Sequence, residues 1–165
     1  MTSRLPFLSI GLHEIRRFLR LPWRRRLDLL RAAAWLLAVD LGLRTVGFAA
    51  VRRVLRRLGR APRPRGTGAA DGVGVGVGVG TEAEALGWTV AAAARHHLYP
   101  IRCLPRSLVL QTLLARRGIP SALRIGVQTG EDGLEAHAWV EHEGRPLGES
   151  ADPTRTFATL ELPPR

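Results

Sequence analysis

Arg102-Cys103-Leu104-Pro105-Arg106-Ser107-Leu108 decides how this chain is read. Leu104, Leu108, Leu110, Leu113 and Leu114 give the broad buried face of a helix. Pro105 fits because a first-turn residue has no intrahelical acceptor for its N–H. Gly118 ends the helix and Pro120 keeps it from resuming. The stretch holds the only cysteine among 165 residues and places it where the helix starts. Unpaired backbone amides there carry partial positive charge, a setting that suits a nucleophilic sulfur. Arg102 and Arg106 are expected to add to that field. A lone cysteine among leucines is more often a small buried hydrophobe, so partners have to be found.

They lie downstream. Ser121–Gln128 reads as a strand, Thr129–Gly133 as a polar loop, and Leu134–Glu141 with Arg145–Glu149 as a hairpin. His142-Glu143-Gly144 suits a three-residue turn with Gly144 in the left-handed conformation. Such a turn pairs Glu141 with Arg145 and sets His137 directly opposite Glu149, on one face of the sheet. Cys103, His137 and Glu149 then form a candidate nucleophile, base and orienting acid. A two-residue Glu143-Gly144 turn brings Ser150 opposite His137 instead, and Asp152 is a weaker substitute for the acid. Trp139 shares a face with His137, either walling the site or filling the core. His96, His97, Cys103, His137 and His142 show no Cys-x-x-Cys or His-x-x-x-His pair, so no metal is expected. Phosphate- and dinucleotide-binding fingerprints are missing as well, so no cofactor is expected.

Upstream, residues 7–20 read as a short helix, and Pro22 opens another from Trp23 to Asp40 or beyond. Leu27, Leu30, Ala34, Leu37 and Leu41 are its expected buried stripe, widened by Leu29, Ala33 and Leu36. A third helix runs to Leu58 and is capped by Gly59. Val51, Val54, Leu55 and Leu58 face inward and the arginines outward. Residues 61–80, Pro/Gly-rich and then alternating Val and Gly, read as a flexible linker. Thr81 and Glu84 form a capping box opening a helix to about His97. The chain thus divides into a helical region 1–60, a linker 61–80 and a core 81–165.

All 25 basic residues are arginine. Residues 1–66 carry a net +13 and residues 67–165 a net −2, within a total of +11. The surplus suits acidic partners, peripheral contact with an anionic membrane through the Arg-rich helices, or a solvated face. A nucleic-acid partner rests on arginine charge alone and is not expected. Within Leu27–Val51 the longest charge-free run is eight residues, where a membrane span needs about 20. One cysteine makes no intrachain disulfide, and the N-terminus lacks an export signal, so a cytoplasmic setting is expected.

Cys103-Leu104-Pro105-Arg106-Ser107, Leu110-Gln111-x-x-Leu114, Arg117-Gly118-Ile119-Pro120, Leu123–Val127 and His137-Ala138-Trp139-Val140-Glu141 together resemble the leader peptidases of lasso peptide biosynthesis. That family is similar to the transglutaminase-like superfamily. The resemblance spans residues 81–150 and implies an α+β, papain-like fold, with a cysteine helix packed on a small antiparallel sheet. It implies Cys103 as nucleophile and His137 as base, with the family's usual aspartate falling at or near Glu149. The implied activity is a cysteine peptidase that removes the leader from a ribosomally made precursor peptide. The implied partners are a separate leader-recognition protein and an ATP-dependent macrolactam cyclase, since residues 1–60 read all-helical rather than winged-helix. A transglutaminase-like acyl transferase and a non-catalytic peptide-docking module are the alternatives.

Overall fold

The computed structural model describes residues 22–59, 76–130 and 133–160. The expected helix over 7–20 and most of the expected linker lie outside the described residues. Pro22 leads into α1 (Trp23–Thr45), where its missing N–H costs no hydrogen bond. After Val46, Gly47 adopts φ +80°, a conformation that strains any residue with a Cβ, and the chain turns into α2 (Gly47–Leu58). α3 covers Gly76–Arg95 and α4 covers Cys103–Arg116. α4 ends as its sequence demands: Gly118 is left-handed at φ +72°, and the Ile119 amide returns to the Leu114 carbonyl at 3.0 Å.

The helices share one core. Leu36 and Val39 of α1, Val51 and Leu55 of α2, Leu86 and Val90 of α3, and Leu108 and Leu114 of α4 belong to a single buried cluster with Val140 of the sheet. Each such side chain contributes about 1.5–3 kcal/mol on burial. The N-terminal helices therefore pack against the cysteine helix.

Three helical expectations are corrected. In α1 Leu36 is buried and Leu29 and Ala33 pack against the core as expected, but the core face is completed by Ala32 and Val39, whereas Leu30, Leu37 and Leu41 of the expected stripe are exposed. Apolar residues lie on more than one face of this helix, and periodicity alone does not say which of them meets a neighbour. On α2, likewise, Val51 and Leu55 are buried but Val54 and Leu58 are exposed. α3 already covers Gly76–Gly80, expected in the linker, so Thr81 lies inside the helix rather than at its start. Once Ala83, Leu86 and Val90 anchor this helix, each upstream residue joins it for the gain of one backbone hydrogen bond.

The sheet is antiparallel with order β3-β2-β1-β4, where β1 is Ala122–Gly130, β2 is Gly133–His142, β3 is Arg145–Pro146 and β4 is Ala158–Leu160. β1 and β2 are longer than expected, with Thr129 and Gly130 paired to Leu134 and Gly133 rather than looping out. The β2–β3 connection is the two-residue turn: Glu143 at φ +50° and Gly144 at φ +74° follow the pair His142–Arg145. Positive φ at both central residues matches the twist of the strands better than the three-residue alternative. Register therefore shifts by one, with Glu141 opposite Pro146. His142 ends β2 as a buried residue, its Nδ1 2.7 Å from the Pro120 carbonyl oxygen.

One polar group anchors α1 to the chain leading into α4. Asp40 is 4% exposed and its Oδ2 accepts hydrogen bonds from Tyr99 Oη at 3.0 Å and Arg44 Nε at 2.8 Å. Burial, then the hydrogen bond to Asp40 and its charge, raise the Tyr99 pKa, against an opposing pull from Arg44. Tyr99 is the single tyrosine, so phenolate absorbance titrates it alone. The expected midpoint lies above the usual value of about 10 and moves part of the way back in Asp40→Asn. A tyrosine whose pKa is raised by folding contributes stability below its unfolded pKa and loses it as pH rises through the folded one. Folding stability should therefore fall above about pH 10; a midpoint at or below the usual value contradicts the anchored arrangement.

Candidate active site

Cys103 is the first residue of α4, half-buried and free of any disulfide. Arg102 precedes it in extended conformation, and no side chain caps the helix. The Cys103 and Leu104 amides are thus left for a ligand, since Pro105 has none to offer. One turn further on, the buried Ser107 donates from Oγ to the Ala138 carbonyl at 2.8 Å. Carbonyls two residues apart on a strand point the same way. The Val140 carbonyl, on that edge of β2, accepts from Leu147 N at 2.9 Å. Because β3 ends there, the Ala138 carbonyl would face no strand, and Ser107 takes the place of the missing amide. This latch fixes the start of the cysteine helix beside the residue that follows His137.

The acid arrives by a route different from the expected one. β3 stops at Pro146 and the chain leaves the sheet through Gly148 at φ +67°. Gly148 meets Gly87 of α3 backbone to backbone: a Cβ on Gly148 would lie 2.5 Å from the Gly87 carbonyl oxygen, and one on Gly87 2.9 Å from Gly148 N. Only two glycines permit this approach. The next residue is Glu149, whose Oε2 lies 3.4 Å from His137 Nε2 and whose Oε1 is ion-paired with Arg106 of α4. The three side chains are 12% exposed for Glu149, 22% for Arg106 and 23% for His137, so solvent screens them only partly. The expected Glu149–His137 proximity exists, but cross-strand pairing does not produce it.

His137 is held by rings as well. It stacks on Phe157 with centroids 5.1 Å apart and on Trp139 at 6.1 Å. Gly126 pairs with His137 across β1–β2, and a Cβ there would meet Phe157 at 2.7 Å and Trp139 at 2.9 Å. Trp139 both walls the histidine and belongs to the interior: it is fully buried, and its Nε1 donates to Glu141 Oε1 at 2.9 Å.

The structure thus brings His137 and Glu149 together and puts Cys103 at the head of the helix latched beside them. Asp152 does not join them. Its carboxylate caps the short helix Pro153–Arg155, accepting from Thr154 N at 3.0 Å and from Thr154 Oγ1, and these bonds lower its pKa. The arginine expected beside the thiol, Arg106, is engaged with Glu149. Sequence reasoning missed Arg106 in that role, Phe157 and the Gly87–Gly148 contact. Arg106 alone has a local signal, being one turn from Cys103 on the same helix. Among the described residues no group of three His, Cys, Asp or Glu could hold a metal ion. No helix among them is long and apolar enough to cross a membrane.

Residues 33–161 match the transglutaminase-like superfamily, and the chain belongs to it. No curated protein and no solved structure is significantly similar to the chain. The match begins within α1 and ends just after β4, so the N-terminal helices are continuous with the family's core.

The glycine pair is open to direct test. Gly148→Ala adds left-handed strain of roughly 1–2 kcal/mol to a backbone collision, for a total loss of about 3 kcal/mol or more. Gly118→Ala carries the strain alone, since nothing lies within 4 Å of its Cβ, and should cost only about 1–2 kcal/mol. Urea unfolding of both variants measures the difference; equal losses would mean that the Gly87 contact imposes nothing.

Proposed function

We propose that this member of the transglutaminase-like superfamily is a cysteine peptidase that removes the leader from a ribosomally made lasso peptide precursor. Superfamily membership supports cysteine peptidase or acyl-transferase chemistry. The finer reading draws on the resemblance of Cys103-Leu104-Pro105-Arg106-Ser107 and His137-Ala138-Trp139-Val140 to the lasso leader peptidases. The observation that carries it is the Glu149 carboxylate on His137 Nε2, which leaves Nδ1 as the nitrogen to exchange a proton with sulfur.

In this mechanism His137 accepts the Cys103 proton and the sulfur attacks the scissile carbonyl carbon, forming a C–S bond. Negative charge develops on the carbonyl oxygen, where the Cys103 and Leu104 amides can receive it; one such donor is worth about 10²–10³ in rate. The imidazolium returns its proton to the leaving amine as the C–N bond breaks, giving a thioester on Cys103. Water then attacks the thioester, His137 takes its proton, and breaking of the C–S bond frees the sulfur and the shortened acid product. Glu149 orients the ring and stabilises its charged form, and Arg106 holds Glu149. A separate recognition protein presents the precursor, and an ATP-dependent cyclase closes the ring on the released core.

The purified protein, given precursor and recognition partner, should release free leader. Cys103→Ala should still bind both and release none, and continued cleavage by that variant overturns the nucleophile. Glu149→Gln should lose about 10²-fold or more of the rate through the wrong histidine tautomer; full activity would remove only the acid from the scheme. Product masses decide the acceptor: addition of water identifies a peptidase, and a new amide identifies an acyl transferase.

A further inference from the structure

The outward face of α1 is the strongest feature that the peptidase chemistry leaves unused. Trp23, Leu27, Leu30, Leu37 and Leu41 are 65%, 38%, 56%, 45% and 56% exposed, and Ala34 between them is exposed too. Their spacing alternates four and three residues without a break, the seam by which one helix packs on another. The core side of the same helix is formed by Ala32, Leu36 and Val39, so this is a second apolar face.

Charge and shape narrow the occupant. Arg24 and Arg31 follow Trp23 and Leu30 by one residue along one edge of the seam, where paired helices place complementary charges. A second copy of this chain would set arginine against arginine and is disfavoured. At the C-terminal end the seam opens into a notch of about 260 Å³ lined by Leu37, Asp40, Leu41, Arg44 and Tyr99. The seam is bordered by Arg24 and Arg31 along one edge, and a notch opens at its C-terminal end. Both features suit a helix with a projecting side chain better than the flat surface of a bilayer, which calls for a broader apolar face.

We infer that α1 is the docking surface for an amphipathic helix of a partner polypeptide, one with an apolar three-four seam and acidic flanks. The notch holds a projecting apolar side chain of that helix, and Arg24 and Arg31 meet its carboxylates. The floor of the notch, Tyr99, lies four residues before Cys103, so a partner seated there is anchored beside the segment that carries the thiol. The inference concerns binding and stands independently of the reaction at Cys103.

The test uses the full chain and two synthetic helical peptides of roughly three heptads, alike in their leucine seam and differing only in flanking glutamates or arginines. Fluorescence anisotropy at low salt should show binding of the glutamate peptide and at least about tenfold weaker binding of the arginine peptide. Leu30→Glu and Leu37→Glu, both at exposed positions and checked for unchanged circular dichroism, should each weaken the glutamate peptide about tenfold or more. Equal binding of the two peptides, or indifference to both substitutions, overturns the inference. So does partition onto phosphatidylglycerol vesicles that the same substitutions abolish while the glutamate peptide fails to bind. Self-association through this face in sedimentation, with no peptide binding, overturns it equally.

Discussion

The Glu149 carboxylate ties the two halves of the site together. One oxygen meets Arg106 on the cysteine helix and the other faces His137 on the central hairpin. A hydrogen bond to a charged group contributes about 1.5–3 kcal/mol when it is made, and the loss is larger when one partner is left buried alone. The ion pair therefore holds helix to sheet while it orients the imidazole. Glutamate reaches His137 through a flexible two-carbon stem, and Arg106 fixes what that length would otherwise leave loose.

The carboxylate is where it is because of backbone contacts made elsewhere. Gly148 can leave the sheet only by turning left-handed against Gly87, and the short β3 strand exposes the β2 edge that Ser107 then occupies. Two devices follow from the early end of β3, a latch for the cysteine helix and a turn that delivers Glu149; a third, the space in which Phe157 stacks on His137, comes from the missing side chain at Gly126. Each is a close approach that one added methyl group would obstruct or one removed hydroxyl would loosen.

Much of this was legible in the chain and some was not. The cysteine helix, with its proline in the first turn and its glycine stop, follows from local rules and was read nearly to the residue. The histidine strand was equally plain. Cross-strand pairing is the wrong route to Glu149: His142-Glu143-Gly144 fits two turns, and the strand twist selects the one with Glu143 at positive φ. The Gly87–Gly148 contact has no local sign, because each glycine looks ordinary in its own segment. α1 misled for a related reason. A helix apolar on both faces does not declare which one it buries, and here the regular stripe stayed outside while Ala32, Leu36 and Val39 went in. Gly76–Gly80 of the Val-Gly repeat, in turn, lie in a helix whose anchor is downstream of them.

The claim on which the rest depends is that His137 activates Cys103. The chain has one cysteine, so the rate of its alkylation by iodoacetamide at neutral pH reports that sulfur without interference. The account predicts rapid alkylation of the native protein and a rate lower by about tenfold or more in His137→Gln, with Glu149→Gln falling between. Equal rates in all three proteins, each matching that of a free thiol, would mean that the histidine and the cysteine do not act together.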